Sequence, residues 1–173
     1  MISDYPKRKL HRLKEYNYTQ NGHYFITICT KNREKLLSKV GNAVLGVPPV
    51  IELTKIGEIV LKAWNKMSEI DDRVKTDEFC IMPNHFHGII VIDNGISEES
   101  EHRGRRSLQS LVAGFKSVTT REYNKLLNNG KTDSLWQSSF YDMVIRNEEQ
   151  LFEIRNYIFE NPIKWKMDKY YEE

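Results

Sequence analysis

Apolar and polar residues follow two rhythms along this chain. Strand-like runs of apolar residues occupy 23–31, 74–82, 86–93 and 139–145, in which neighbouring side chains point to opposite faces. Helical spacing appears in three other stretches. Ile56, Val60, Trp64 and Met67 recur at three- and four-residue intervals and predict a helix over 54–70. Leu108, Leu111, Val112, Phe115, Val118 and Tyr123 do the same for 106–127, and Leu151, Ile154 and Ile158 for 148–161. The last helix carries its own punctuation: Asn147 and the acids Glu148 and Glu149 suit an N-terminus, and Pro162 closes it. Between elements, Gly41 to Pro49 and the polar series from Asp93 to Ser107 read as connections.

Strand, helix, strand, strand, helix, strand is the ferredoxin-like order. The expected class is therefore α+β: an antiparallel sheet with helices on one face, plus a C-terminal helix. Residues 1–173 make one domain, with 39% hydrophobic and 29% charged residues. No apolar run approaches a membrane span, and Met1 to Lys7 lacks a signal-peptide core, so a cytoplasmic location is expected. Cys29 and Cys80 fall in strand-like runs and read as buried free thiols.

The candidate chemistry centres on His85-Phe-His87, which opens the apolar run ending at Ile92. On a strand these imidazoles share a face and form half of a metal site; on a helix they would diverge. Asn84 and Pro83 turn the chain just before, placing His85 near the sheet's edge, where a metal has access. Tyr157 and Asn161 stand four apart on the last helix, at the rim of its apolar stripe. If that helix packs on the histidine face, the Asn161 oxygen completes a His, His, Asn ligand set and Tyr157 reaches whatever the metal binds. Neutral ligands leave the charge of a Mg²⁺ or Mn²⁺ ion available to phosphate oxygens, so the phenol becomes a nucleophile toward phosphorus. A phosphotyrosine ester conserves bond energy for rejoining, and the chain has no Walker-type phosphate loop. The plainer readings are a helix C-cap for Asn161 and an interfacial ring for Tyr157, with Tyr141 and Tyr123 as rival tyrosines.

Pro83-Asn-His85-Phe-His87 resembles the His-hydrophobic-His motif of the HUH endonuclease superfamily, and Tyr157-Ile-Phe-Glu-Asn161-Pro162 resembles the tyrosine helix of its single-tyrosine transposases. More narrowly the chain resembles the REP-associated tyrosine transposases, through Tyr24 to Arg33, Gly114-Phe-Lys-Ser117 and Trp136 to Arg146 as well. That resemblance implies His85 and His87 as metal ligands and Asn161 as the third. It also implies Tyr157 as the nucleophile that joins a 5′ phosphate of single-stranded or hairpin DNA and leaves a 3′ hydroxyl. Insertion-sequence relatives carry Gln where this chain has the shorter Asn161. A replication or conjugation nickase, a DNA-binding protein that no longer cuts, and a hydrolase of small phosphoesters are the alternatives. Both monomer and homodimer fit.

Charge supports a nucleic-acid partner through its distribution, since the net value is only +2. Residues 1–40 hold nine Lys or Arg against three acids, and 103–131 hold seven against one. Residues 1–22 read as a basic DNA-contacting arm in which Lys7, Arg8, Lys9, Arg12 and Lys14 meet phosphates and Tyr18 offers a ring for an unpaired base. Arg105, Arg106, Lys116 and Arg121 on and before the middle helix are the second set of expected DNA contacts, lining a groove for a hairpin.

Overall fold

The computed structural model describes residues 16–42, 49–95, 106–127 and 132–171. In chain order its elements are β1 (Gly22–Cys29), β2 (Ser38–Val40), β3 (Ile51–Leu53), α1 (Lys55–Asn65), α2 (Met67–Ile70), β4 (Val74–Ile81), β5 (His85–Ile92), α3 (Leu108–Leu127), β6 (Tyr141–Ile145) and α4 (Glu148–Glu160). Four strands form an antiparallel sheet in the order β4-β5-β1-β6, which is the ferredoxin-like arrangement.

Both faces of the two inner strands are covered, and alternation decides what each face meets. Tyr24, Ile26 and Ile28 of β1, with Phe86 and Ile90 of β5, pack against Val60 and Trp64 of α1 and Leu111 and Phe115 of α3. On the other face Phe25, Cys80, Met82 and Ile89 meet Leu151, Ile154 and Ile158 of α4. Burying each of those three α4 side chains contributes about 1.5–3 kcal/mol, enough to fix the helix to the sheet. Asn147 caps α4 by accepting from the Gln150 amide at 2.8 Å, as its sequence position predicts. A register shift in β4 between Thr76 and Phe79 coincides with Asp77, whose carboxylate takes a forked pair of bonds from Arg155 of α4.

Gly88, between the histidines and the apolar end of β5, sits under the Trp64 indole. A Cβ there would meet Trp64 Cη2 at 2.7 Å and Phe86 Cε1 at 2.9 Å. Gly88→Ala should therefore destabilise the domain by about 1–3 kcal/mol through overpacking, read from urea unfolding; unchanged stability would contradict this packing.

Three sequence expectations are corrected, and one element was not foreseen. The helix expected over 54–70 breaks at Lys66 into α1 and α2, and the break leaves Met67 buried. A small hairpin, β2 with β3, precedes α1; strands of three residues are too short to show a period. β5 is an inner strand and His85 is 0% exposed, so it is not at the sheet's edge: the run Ile89 to Ile92 is apolar on both faces and demands cover on both. Tyr18 lies in the core, 8% exposed and 4.9 Å from the Tyr16 ring, instead of presenting a stacking surface. Its ring is apolar enough to be worth more in the core than in solvent. No helix among the described residues is long and apolar enough to cross a membrane.

Candidate metal centre and nucleophile

His85 and His87 leave β5 on the face that α4 covers, their ring centroids 4.5 Å apart and both rings buried. Each is held from behind. Thr27 lies opposite His87 in the β1–β5 register, its Oγ1 2.8 Å from Nδ1 of His87. Asn84, fully buried, donates from Nδ2 to the Tyr170 carbonyl at 2.8 Å, which turns its Oδ1 toward His85. That oxygen accepts from Nδ1–H of His85 at 2.9 Å and so leaves Nε2 as the bare lone pair. An imidazole anchored at Nδ1 with Nε2 forward is the usual posture of a ligating histidine.

In front of the rings lie unsatisfied atoms. Nε2 of His85 and Oδ1 of Asn161 are buried with no hydrogen-bond partner, a condition costing about 1–3 kcal/mol for each group. Asn161 caps the end of α4 and is 3% exposed. Oδ2 of Asp168 is 4.0 Å from Nε2 of His85, and His85, His87 and Asp168 bring one ligand atom each within 4.8 Å of one another. Two neutral nitrogens and a carboxylate lie close together, with the Asn161 amide interacting with His85 beside them, a donor set that can bind a metal ion.

Tyr157 completes the group from α4. Its hydroxyl is 3.4 Å from Nε2 of His87, its ring lies edge-on to His87 and Phe25, and it is 40% exposed. Tyr157 and Asn161 thus reach the histidines together, as their four-residue spacing requires. Tyr141 packs edge-on to Phe25, and Tyr123 is packed against the core on the opposite face of the sheet.

Burial sets the protonation of the cluster. It pushes His85 down to about 3, an effect that the neighbouring Asn161 amide only partly offsets. Burial, then the nearby His85, holds His87 well below the ordinary imidazole range. Both rings are neutral in the folded protein at physiological pH, as ligation needs. Tyr157 is pushed up to about 12, first by burial and then by the Asp168 charge, against a smaller lowering by Asn161. Its phenol therefore stays protonated until positive charge arrives beside it.

The depressed imidazoles have a consequence for stability. Both fold in the neutral form, whereas the unfolded chain takes up protons near pH 6.5. Stability is whole above that pH and is lost as pH falls toward the folded values, by about 1.4 kcal/mol per pH unit for each ring. Urea midpoints measured with chelator at pH 7.5 and 5.5 should differ accordingly, and less so in His85→Gln; equal midpoints would refute it.

Sequence reasoning missed three members of the site. Asn84 reads only as a turn residue, and Thr27 as one strand threonine among others. Asp168 follows no periodic element, and no local pattern points to it. The expected DNA contacts are dispersed. Lys7, Arg8, Lys9, Arg12, Lys14 and Arg105 lie outside the described residues. Lys116 and Arg121 share a groove of about 900 Å³ with Lys125, Trp136 and Phe140, although Lys116 Nζ is already held by the carbonyls of Gln137 and Ser138. Arg106 lies apart from them, beside an apolar hollow between α2 and α3.

A family model described as Major capsid protein 1 of Sulfolobus islandicus filamentous virus matches residues 16–125. That span ends within α3 and leaves the edge strand β6 and the helix of Tyr157 unaccounted for. Likenesses along nearly the whole chain account for both. An uncharacterized Haemophilus influenzae protein is 34% identical over 95% of this chain and 93% of its own length. A second protein from Haemophilus influenzae, named as a REP-associated tyrosine transposase, is 24% identical over 86% of this chain and 74% of its own. The solved structure of a REP-associated tyrosine transposase bound to a REP hairpin shares the fold, with a TM-score of 0.59 and 21% identity over 91% of this chain and 76% of that one. The chain is thus similar, in sequence and in fold, to the REP-associated tyrosine transposases.

Proposed function

We propose that this protein binds single-stranded DNA at a hairpin, and nicks and rejoins the strand through a covalent 5′-phosphotyrosine at Tyr157. His85, His87 and Asn161, with Asp168 as a further ligand, would hold a divalent cation, Mg²⁺ or Mn²⁺. One observation carries the reading: the Tyr157 hydroxyl lies 3.4 Å from His87 Nε2, beside buried lone pairs on His85 and Asn161 that have no hydrogen-bond partner. The hairpin seen with the structural relative supports the substrate class. The groove along α3 with Lys116, Arg121 and Lys125 offers it a cationic surface.

An ion held there would supply the positive charge that withdraws electrons from the phosphate and favours an ionised phenol. Tyr157 Oη attacks phosphorus and its proton leaves to solvent on its exposed side. The bond to the 3′ oxygen breaks, and that oxygen takes a proton to become a free 3′ hydroxyl. Rejoining runs the same exchange backward from a 3′ hydroxyl, with no external energy source. Asn84 and Thr27 keep the two imidazoles oriented throughout.

The full chain, Mn²⁺ and an end-labelled hairpin with single-stranded flanks, run on a denaturing gel, test this. A protein-linked labelled strand is expected. Cleaved DNA without an adduct would assign a hydrolase, and retention without cleavage a binding protein that does not cut.

A further inference from the structure

Beside the metal centre, a cleft of about 410 Å³ opens between β1, β6 and the C-terminal segment, within the range of about 300–1,000 Å³ for small-ligand sites. Its walls include Thr27, Arg33, Phe140, Tyr141, Lys169 and Tyr170. Cations and rings are interleaved there: Lys169 Nζ lies 4.8 Å from the Tyr170 ring centroid and 5.8 Å from that of Tyr141, and the Arg33 guanidinium lies 5.6 Å from Tyr170. Two positive charges beside stackable faces suit a phosphate with an unpaired base attached, and every base offers such a face.

The cleft and the histidines share one scaffold. Thr27, which anchors His87, is also a cleft wall. The Asn84 carbonyl receives both the amide and the hydroxyl of Thr30, pinning the loop that carries Arg33, while its side chain binds the Tyr170 carbonyl and orients His85. Tyr170 in turn packs on His85 with centroids 4.7 Å apart. A backbone irregularity marks the same wall: Asn32 and Arg33 both have positive φ, 53° and 56°. Arg gains nothing intrinsic from the left-handed region, and residues held there cluster at ligand sites.

We propose that this cleft is the subsite for one unpaired nucleotide next to the phosphate at the metal centre. Arg33 and Lys169 take its phosphate, and Tyr141 with Phe140 takes its base. The assignment rests on the single-strand chemistry proposed above and deepens it, because a strand whose scissile phosphate meets the histidines must pass through an adjoining space.

The test uses the full chain carrying Tyr157→Phe, so that binding is read without covalent capture. Fluorescent oligothymidine and the same oligomer with scattered abasic positions are titrated by anisotropy. Arg33→Gln with Lys169→Gln should weaken oligothymidine binding about tenfold and flatten its salt dependence, whereas Lys66→Gln on the opposite helical face should leave it unchanged. Tyr141→Leu should remove the preference for intact bases over abasic ones. Should the Tyr141 variant unfold on heating earlier than its parent, the Lys169→Gln variant alone, on an exposed side chain, decides the phosphate contact. No oligothymidine binding, or equal binding by the cleft variants, overturns the proposal. The adduct assay on the unsubstituted protein separates the two readings: an adduct without cleft dependence sinks the subsite, and cleft dependence without an adduct sinks the transfer chemistry.

Discussion

Tyr157→Phe is expected to abolish the denaturation-resistant DNA adduct, by at least about 10³-fold in its rate of formation, while hairpin binding and stability stay near those of the parent. The magnitude follows from the role: a nucleophilic oxygen has no substitute on the same ring, and its removal takes away the covalent route entirely. The small structural cost follows from the geometry. The ring keeps its edge-on contacts with Phe25 and His87, and the hydroxyl gives up a long interaction of 3.4 Å with His87 and the contact with Asn161 at a half-exposed site, worth about 1 kcal/mol. Adduct formation and binding should therefore separate cleanly in this variant. An undiminished adduct would reassign the nucleophile, and Tyr170 is the tyrosine to examine, since its ring packs on His85. Equal loss of binding and adduct would instead make Tyr157 a recognition residue.

Removing the metal should silence the protein just as fully, and the histidines should decide whether it can be restored. Chelation is expected to suppress adduct formation below about 1% of the Mn²⁺-loaded rate, and added Mn²⁺ should restore it in the parent protein only. In His85→Gln and His87→Gln the ion should bring no recovery. Binding to the folded state alone also stabilises it, by about 2.7 kcal/mol at a hundredfold excess over the dissociation constant. Thermal midpoints should thus rise with Mn²⁺ in the parent and stay flat in either variant. The reason is the pair of buried lone pairs on His85 and Asn161, which gain a partner when an ion arrives. A parent protein indifferent to both chelator and Mn²⁺, in stability and in adduct formation, would remove the metal from the account.

Much of the architecture was legible because its signals are local. The period-two apolar runs found all four strands of the main sheet, and the Asn147 cap and Pro162 bounded α4 within a residue. Two features stayed hidden for opposite reasons. The β2–β3 hairpin is too short for any period to register. The length of the 54–70 pattern concealed a break at Lys66, because Met67 continues the apolar spacing on the far side of it.

The sequence by itself determined which chemistry-bearing residues travel together. His85 and His87 share a face because a strand alternates, and Tyr157 and Asn161 share a rim because a helix repeats every 3.6 residues. Tertiary structure alone decided that these two pairs meet, that His85 is deeply buried on an inner strand, and that Asn84, Thr27 and Asp168 join them. Periodicity reports the direction of a side chain relative to its own backbone. Which distant backbone lies opposite depends on burying both faces of the sheet at once, and that is a property of the whole chain.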